Sequence, residues 1–264
     1  MAARDDIDLE RIATEIVAWL RSHLERAGAT RLVFGLSGGI DSAVVCALAV
    51  RAVGAENVVA AILPIQSLAQ DIHDAELVAS VFGVTPIHID LAPTYDSLVA
   101  SLPETASDGD QRMRDMALAN IKPRLRMTTL YYLSQLNRGL VVGTGNKTEL
   151  SIGYFTKYGD GAVDLLPLAD LDKTTVRALA RRLGVPEPVI TKAPSAGLWA
   201  GQTDEGEIGL TYEQLDQALA DLERGDADRV DPTVRARIEA LIAISEHKRQ
   251  PVPRFELDQA AAAR

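Results

Sequence analysis

The 264-residue sequence contains a single cysteine, Cys46, which lies inside an apolar helical pattern. One cysteine excludes an intramolecular disulfide and a cysteine-ligated zinc site, and its apolar neighbours predict a buried side chain. No apolar run approaches the roughly 18 residues that a membrane-spanning helix requires. The opening residues, MAARDDID, also lack the basic start and apolar stretch of a signal peptide. We therefore expect a cytoplasmic protein that does not bind a membrane.

Basic side chains are also fewer than acidic ones. The sequence has 27 Lys and Arg against 37 Asp and Glu, which gives a formal net charge of −10. Proteins grip nucleic-acid backbones mainly through Lys and Arg contacts to phosphates, so this charge argues against a nucleic-acid partner. Hydrophobic residues make up 47% of the chain, enough for a substantial core. A small-molecule substrate is therefore the expected class.

Apolar runs of strand length alternate with segments of helix length. The runs cover 31–36, 58–65, 86–91 and 140–145, and helical patterns cover 7–27, 211–222 and 231–248 and begin at Ile40, Gln70, Asp110 and Lys173. Strands that are apolar throughout predict an α/β fold, with a doubly wound, mostly parallel sheet and helices on both faces. Loop-like composition covers 103–110 and 193–209. No repeat or linker is evident, so we expect one domain over 1–264 with a frayed tail at 258–264.

The stretch GLSGGIDS follows the first predicted strand and precedes a helix. Glycines at such a turn expose backbone N–H groups, and the helix dipole adds positive charge, so the turn can bind a phosphate chain. Asp41 would repel phosphates unless a divalent cation lies between them, which implies metal-bound phosphate. The spacing matches neither a Walker loop nor a dinucleotide-binding loop. An alternative is an ordinary helix start capped by Ser37 or Asp41.

Several motifs together resemble one enzyme family. SGGIDS resembles the pyrophosphate-binding loop of the ATP pyrophosphatases, whose fold is Rossmann-like. NIKPRLRM (120–127), VVGTGNKTEL (141–150), GYFTKYGDGAVDLLPLADLDK (153–173), KAPSAGLWAGQTDEGEIG (192–209) and HKR (247–249) resemble, in that order, the ammonia-dependent NAD⁺ synthetases. These motifs span nearly the whole chain.

The resemblance implies a ligase that forms an amide. The nicotinate carboxylate of deamido-NAD⁺ would attack the α-phosphorus of ATP, and ammonia would then displace AMP to give NAD⁺. Magnesium would be the cofactor, ATP a co-substrate, and a homodimer the expected assembly. The amphipathic pattern of the segment 110–138 is compatible with the dimer interface and equally with the core. Glutamine-dependent relatives carry a glutaminase domain with a catalytic cysteine, for which this chain has no room, although a separate glutaminase subunit stays an option.

The resemblance also implies the site residues. Asp41 and Glu149 would hold magnesium. ATP would contact Gly35, Leu36, Ser37, Gly38, Gly39, Ile40, Asp41, Ser42, Thr144, Lys173 and Ser195. Deamido-NAD⁺ would contact Arg124, Lys157, Asp164, His247 and Lys248. Arg124 and Arg126 cannot share one helix face, so one should reach the ligand, and we favour Arg124. Pro123 could kink or start that helix.

The segment 193–209 resembles a loop that closes over substrate, which would exclude water from a reactive adenylate. Within it, Asp204 and Glu205 are candidates for taking a proton from ammonium, and Lys173 could neutralise charge on the departing pyrophosphate. Residue type alone leaves other interpretations open: Glu149 and Lys173 as solvated surface residues, Thr144 as a cap, and His247 as a helix-dipole partner.

Two other functions are compatible with the SGGIDS loop. Another ATP pyrophosphatase, which aminates or thiolates a nucleotide or a tRNA, would share the loop, but the acidic charge and the motifs at 153–173 and 192–209 argue against it. A non-catalytic nucleotide sensor on the same fold would not need to keep both Asp41 and Glu149.

Overall fold

A parallel sheet organises the part of the chain that the structure describes. The structure is a computed structural model, and it describes residues 8–103, 111–195, 197, 199 and 201–255. The strands are β1 (Arg31–Gly35), β2 (Val58–Ile62), β3 (Ile87–His88) and β4 (Gly139–Val141), in the order β3-β2-β1-β4. All pairings are parallel, with Leu32 opposite Val58 and Leu140, and a further parallel bridge joins Val142 to Leu165.

Helices connect and follow the strands. They are α1 (Leu9–Ala27), α2 (Ile40–Val53), α3 (Ala69–Val81), α4 (Ala92–Ser101), α5 (Gln111–Ala119), α6 (Ile121–Leu136), α7 (Lys147–Ile152), α8 (Lys173–Leu183), α9 (Glu187–Thr191), α10 (Asp204–Ile208), α11 (Tyr212–Glu223) and α12 (Pro232–Arg249). Single 3₁₀ turns lie at Ala55–Asn57 and Ala227–Arg229. In the described part of the chain, no helix is both long and apolar enough to cross a membrane.

Alternate residues of β1 face two different apolar clusters. Leu32 and Phe34 pack with buried residues of α1, α2, α3, α8 and α9 on one face of the sheet. Val33 packs on the other face with residues of β2, with Tyr95 of α4 and with Leu133 of α6. Because successive side chains of a strand point to opposite faces, a continuous apolar run buries both. The predicted fold class, a parallel sheet covered on both faces, is confirmed.

A third apolar cluster joins the C-terminal helices to α7 and α10. Ile152, Ile208, Tyr212 and Leu215 are buried in it beside residues of α12. This cluster brings α10 and the start of α11 next to α7, although the helices are far apart in sequence. It therefore fixes the position of α7, the helix that follows β4.

Most predicted elements lie where the patterns indicate. The four strands are shorter than expected, and Gly28 ends α1 in the left-handed conformation, at φ 63°. Pro123 lies in the first turn of α6, where backbone N–H groups have no intrahelical acceptor, so it starts the helix without breaking it. Cys46 is buried, as predicted. The single-domain division stays a prediction.

The expectation of a continuous loop over 193–209 is wrong at one end. Asp204–Ile208 forms α10 because Thr203 caps it, with its side chain accepting from the N–H of Gly206, and because Ile208 is buried. Helices α4, α7 and α9 were also not expected. Residues 104–110 and the tail 258–264 lie outside the described residues.

Candidate active site

The phosphate-type loop follows β1 and leads into α2. Gly38 has φ 79°, and a Cβ there would lie 2.2 Å from the carbonyl oxygen of Asp71, so only glycine fits this close approach. The hydroxyl of Ser42 donates to the carbonyl of Gly39 at 2.9 Å and lies 3.1 Å from the hydroxyl of Ser37. The N-cap of α2 is Gly39, without a side-chain cap, so Ser37 and Asp41 do not cap this helix.

A buried lysine joins two carboxylates beside this loop. The ammonium of Lys173 lies 2.6 Å from Asp41 Oδ2 and 3.0 Å from Glu149 Oε1. The Lys173 side chain is 2% exposed, whereas the Asp41 and Glu149 side chains are each 16% exposed. Solvent therefore reaches this group through the two acids. Asp41 follows β1 and Glu149 follows β4, and these neighbouring strands are parallel. The pair therefore lies at the carboxyl edge of the sheet, where open α/β sheets bind ligands.

The pKa values of Lys173 and Glu149 are both raised above their ordinary values. Burial disfavours the charged form of Lys173, but Asp41 and Glu149 outweigh it and raise the pKa of the ammonium. Burial raises the pKa of Glu149 well above its usual range, and the nearby charges of Asp41 and Asp204 add to this effect while Lys173 opposes it. The ammonium is therefore firmly protonated and supplies a fixed positive charge at the site.

Asn146 connects the two acids. Its amide donates to Asp41 Oδ1 at 3.0 Å, and its oxygen accepts from the N–H of Glu149 at 3.1 Å. The N–H of Asn146 in turn donates to the Glu149 carboxylate, which completes a capping box at the start of α7. Asn146 thus fixes the orientation of both carboxylates.

Asp216, a buried acid, is hydrogen-bonded to the residues around Lys173. Asp216 of α11 accepts from the Thr148 hydroxyl at 2.5 Å and from the Thr174 N–H at 2.9 Å. The same Thr148 oxygen accepts the backbone N–H of Lys173 at 3.1 Å. These bonds tie the first turns of α7 and α8 to α11, so they fix the positions of Glu149 and Lys173 relative to each other.

The two acids of α10 differ in environment. Asp204 is buried and accepts from the hydroxyls of Tyr212 at 2.9 Å and Tyr154 at 3.1 Å. Burial raises its pKa, although Lys173 and the two phenols act against this. Glu205 instead accepts from the backbone N–H of Tyr212 at 2.9 Å, where it serves the start of α11. Asp204 alone of the two acids points toward the Lys173 group.

A second group of predicted residues gathers around 153–165. The Arg124 guanidinium donates to the carbonyl of Lys157 at 3.2 Å, and the Lys157 ammonium donates to the carbonyl of His247 at 2.5 Å. Lys248 donates to the carbonyls of Gly153 and Phe155, at 3.0 and 2.9 Å. The structure therefore brings four of the five expected deamido-NAD⁺ residues together: Arg124, Lys157, His247 and Lys248.

The remaining predicted residues occupy separate positions. Asp164 is exposed, and its carboxylate accepts from the N–H of Val141 and from the hydroxyl of Tyr131. Thr144 lies between β4 and α7, on the segment that leads to Glu149. The Ser195 hydroxyl accepts from the N–H of Gly197 at 3.1 Å. Asp164 is thus bonded to the backbone of β4, and the Ser195 bond is local to its own segment.

Sequence patterns missed several residues of the site. Asn146 carried a usable signal, since Asn followed three residues later by Glu is a capping-box pattern. Lys192 pairs with Asp71 at 2.6 Å and Asp74 at 2.7 Å and lies 3.3 Å from the carbonyl of Gly38, so it joins the phosphate-type loop to α3. Tyr212 and Asp216 gave no local signal, because their partners are distant in sequence.

The parallel sheet, the loop after β1 and the charged group at the sheet edge define an α/β protein of the ATP pyrophosphatase type. A model of the NAD synthase family matches residues 12–252. The chain therefore belongs to the NAD synthase family.

Similar proteins agree with this assignment. The NH₃-dependent NAD⁺ synthetase of Carboxydothermus hydrogenoformans is 49% identical over 85% of this chain and 90% of its own length. The enzyme of the same name from Methanosarcina acetivorans is 42% identical over 95% of this chain and its full length. A solved structure of NMN synthetase from Francisella tularensis has a TM-score of 0.85 and 37% identity, covering 96% of this chain and all of that chain.

Proposed function

We propose that this protein is an ammonia-dependent NAD⁺ synthetase. The nicotinate carboxylate of deamido-NAD⁺ attacks the α-phosphorus of ATP, pyrophosphate leaves, and ammonia then displaces AMP from the adenylate. The observation that carries this proposal is the buried ammonium of Lys173 between Asp41 and Glu149, beside a glycine loop suited to phosphates. Adenylation is needed because a carboxylate is a poor electrophile until it gains a good leaving group.

The acids are suited to a magnesium ion that arrives with ATP. Both carboxylates reach one cation, since the Lys173 ammonium contacts each of them. Among the described residues, no group of three or more His, Cys, Asp or Glu could hold a metal. Mg²⁺ commonly takes one or two carboxylates together with phosphate oxygens, so Asp41 and Glu149 suffice as its protein ligands. Bound there, the ion would offset negative charge on the phosphates.

Lys173 contributes charge stabilisation during adenylation. Its ammonium is held in place by two acids and has no freedom to reorient, so it can stabilise charge that moves onto pyrophosphate without a reorganisation cost. The loop residues from Gly35 to Ser42 offer backbone N–H groups and hydroxyls to the phosphates. Thr144 and Ser195 complete the proposed ATP contacts.

Asp204 is the proposed proton acceptor from ammonium. It is the acid of the 201–209 segment that lies near the Lys173 group, and its raised pKa makes it a stronger base than an exposed aspartate. The segment would also exclude water from the adenylate.

Arg124 and Arg126 should have separable roles. Arg126 donates from a half-buried position to the carbonyl of Leu63 at 3.0 Å, whereas Arg124 is exposed near Lys157. We expect Arg124→Ala to raise the KM for deamido-NAD⁺ with little change in stability. Arg126→Ala should instead lower the free energy of unfolding by about 1–3 kcal/mol, because it leaves a carbonyl unpaired. Steady-state kinetics and denaturant unfolding of both variants check this, and the reverse assignment would contradict it.

A homodimer and a cytoplasmic location are part of the proposal. Exposed apolar side chains on α5 and α6 support the dimer: Met113 is 66% exposed, Tyr132 64% and Leu136 68%. These residues lie in the segment 110–138 that the sequence suggested as an interface. Such exposure on adjoining helices is typical of a surface that binds another chain.

A second candidate substrate is the corresponding mononucleotide. The Francisella protein, whose chain this one covers fully, is named an NMN synthetase. Its name implies amidation of nicotinate mononucleotide, which uses the same adenylation chemistry. The two substrates differ only in the adenylate half of the dinucleotide.

The test is a mass-spectrometric product assay with ATP and magnesium. Deamido-NAD⁺ and nicotinate mononucleotide are supplied separately, each with ammonium or with glutamine. We expect NAD⁺, AMP and pyrophosphate in equal amounts from deamido-NAD⁺ and ammonium. A preference for the mononucleotide would favour the second candidate, and no amide from either would overturn the proposed function.

A further inference from the structure

The phenol of Tyr212 lies between the α10 acid and the Lys173 ion pair. Its hydroxyl is 2.9 Å from Asp204 Oδ2 and 3.2 Å from Glu149 Oε1. Its ring is fully buried, and the Lys173 ammonium lies 4.7 Å from the ring centroid. One side chain therefore touches the proposed lysine, a proposed metal ligand and the proposed base.

The phenol has one hydrogen to share between two acids. Glu149 Oε1 already accepts from the Lys173 ammonium at 3.0 Å, whereas Asp204 Oδ2 has the Tyr212 hydroxyl as its described donor. The phenol oxygen is also nearer to Asp204, at 2.9 Å, than to Glu149, at 3.2 Å. The hydroxyl hydrogen is therefore directed to Asp204.

Tyr154 provides a contrast within the same network. Its hydroxyl lies 3.1 Å from Asp204 Oδ1 and 2.8 Å from Glu207 Oε2, and both acids belong to α10. Tyr154 thus holds α10 to the segment after α7. Of the two phenols, only that of Tyr212 has a described contact with Glu149.

We propose that Tyr212 is a positioning residue that holds the Asp204 carboxylate in place beside the Lys173–Glu149 pair during the amide-forming step. This inference rests on the proposed function, and it adds a residue that neither the motifs nor the substrate contacts assign. The position of Asp204 then decides the fate of the adenylate. When Asp204 is aligned, ammonia attacks the adenylate and the amide forms. When it is not aligned, water hydrolyses the adenylate. Hydrolysis of the adenylate returns the carboxylate and AMP, so ATP is still cleaved.

Tyr212→Phe removes one oxygen and keeps the ring packing against Leu215 and Ile208. We expect the ratio of NAD⁺ to AMP formed to fall about tenfold, since a hydrogen bond to a charged group is lost. ATP cleavage should persist. Tyr154→Phe is the matched control: it also loses a hydrogen bond to Asp204, but the Tyr212 hydroxyl still joins Asp204 to Glu149, so its ratio should fall by no more than about twofold. A purely structural role would lower both products together and leave the ratio unchanged.

Hydrogen exchange of the unliganded proteins gives a second readout. In Tyr212→Phe, the amides of α10 should exchange faster, while those of α8 stay protected as in the parent protein. An unchanged ratio, unchanged exchange at α10, or an equal loss of ratio in Tyr154→Phe would overturn the inference. If the parent protein itself forms no amide, the proposed function fails instead, so the two failures are distinguishable.

Discussion

Replacing Lys173 by methionine is expected to lower kcat for NAD⁺ formation by about 10²–10³-fold, the usual effect of losing one fixed donor at a site of developing charge. The methionine fills similar space but leaves Asp41 and Glu149 without the cation that each now contacts. ATP cleavage should fall with NAD⁺ formation, because the lysine acts in adenylation. Steady-state assays of both products, on protein shown to be folded by thermal denaturation, measure this.

Lys147→Met is the matched control for that variant. Lys147 begins α7 and lies 2.8 Å from Glu223 and 3.8 Å from Asp170, so it also joins two acids, but at the surface. Exposed ion pairs contribute little, and we expect activity near that of the parent protein. A folded Lys173→Met enzyme with activity close to that of Lys147→Met would remove Lys173 from the mechanism.

Replacing Asp204 by asparagine is expected to separate the two half-reactions. Loss of a general base typically costs about 10²–10⁴-fold, so NAD⁺ formation at neutral pH should fall by at least about 10²-fold. AMP and pyrophosphate should still form, because Asp204 is not proposed to act on ATP. The defect should shrink as pH rises, since a larger share of the ammonium is then already free ammonia and needs no base.

Glu205→Gln distinguishes the two acids of α10. The Glu205 carboxylate accepts from the Tyr212 backbone N–H, and a glutamine oxygen can accept the same bond. We expect nearly unchanged amide formation from this variant. If Glu205→Gln lost amide formation while Asp204→Asn kept it, the assignment of the base would be wrong. Product ratios measured from pH 6.5 to 8.5, a span of about two units around neutrality, make the comparison.

The strands and most helices could be predicted because their signals are local. β1 is an apolar run that buries both faces, and α1 begins at a capping aspartate and ends at a glycine. Helix α10 could not be predicted, because it is only five residues long and contains Gly206, although Thr203 and Gly209 are cap residues of the usual types. It forms since Thr203 caps it and Ile208 has a buried contact, and the second of these depends on the tertiary structure.

Some residues of the site could likewise be identified from local motifs, and others only from the folded structure. The loop before α2, Glu149 and Lys173 belong to continuous motifs, so the resemblance could identify them. Tyr212 and Glu149 are 63 residues apart, and Asn146 and Asp41 are 105 apart, so only the folded chain brings these pairs together. A buried tyrosine in a helical pattern is usually a core residue, and nothing in its own segment indicates that its hydroxyl reaches a charged group.

Transfer of oxygen from substrate to AMP tests adenylation at this site most directly. Deamido-NAD⁺ carrying ¹⁸O in its nicotinate carboxylate is incubated with ATP, magnesium and ammonium, and the products are weighed by mass spectrometry. If the carboxylate attacks the α-phosphorus, the bridging oxygen leaves with AMP, so one ¹⁸O per turnover appears in AMP and the other stays in the amide. Label in inorganic phosphate, or AMP free of label while NAD⁺ accumulates, would contradict the account.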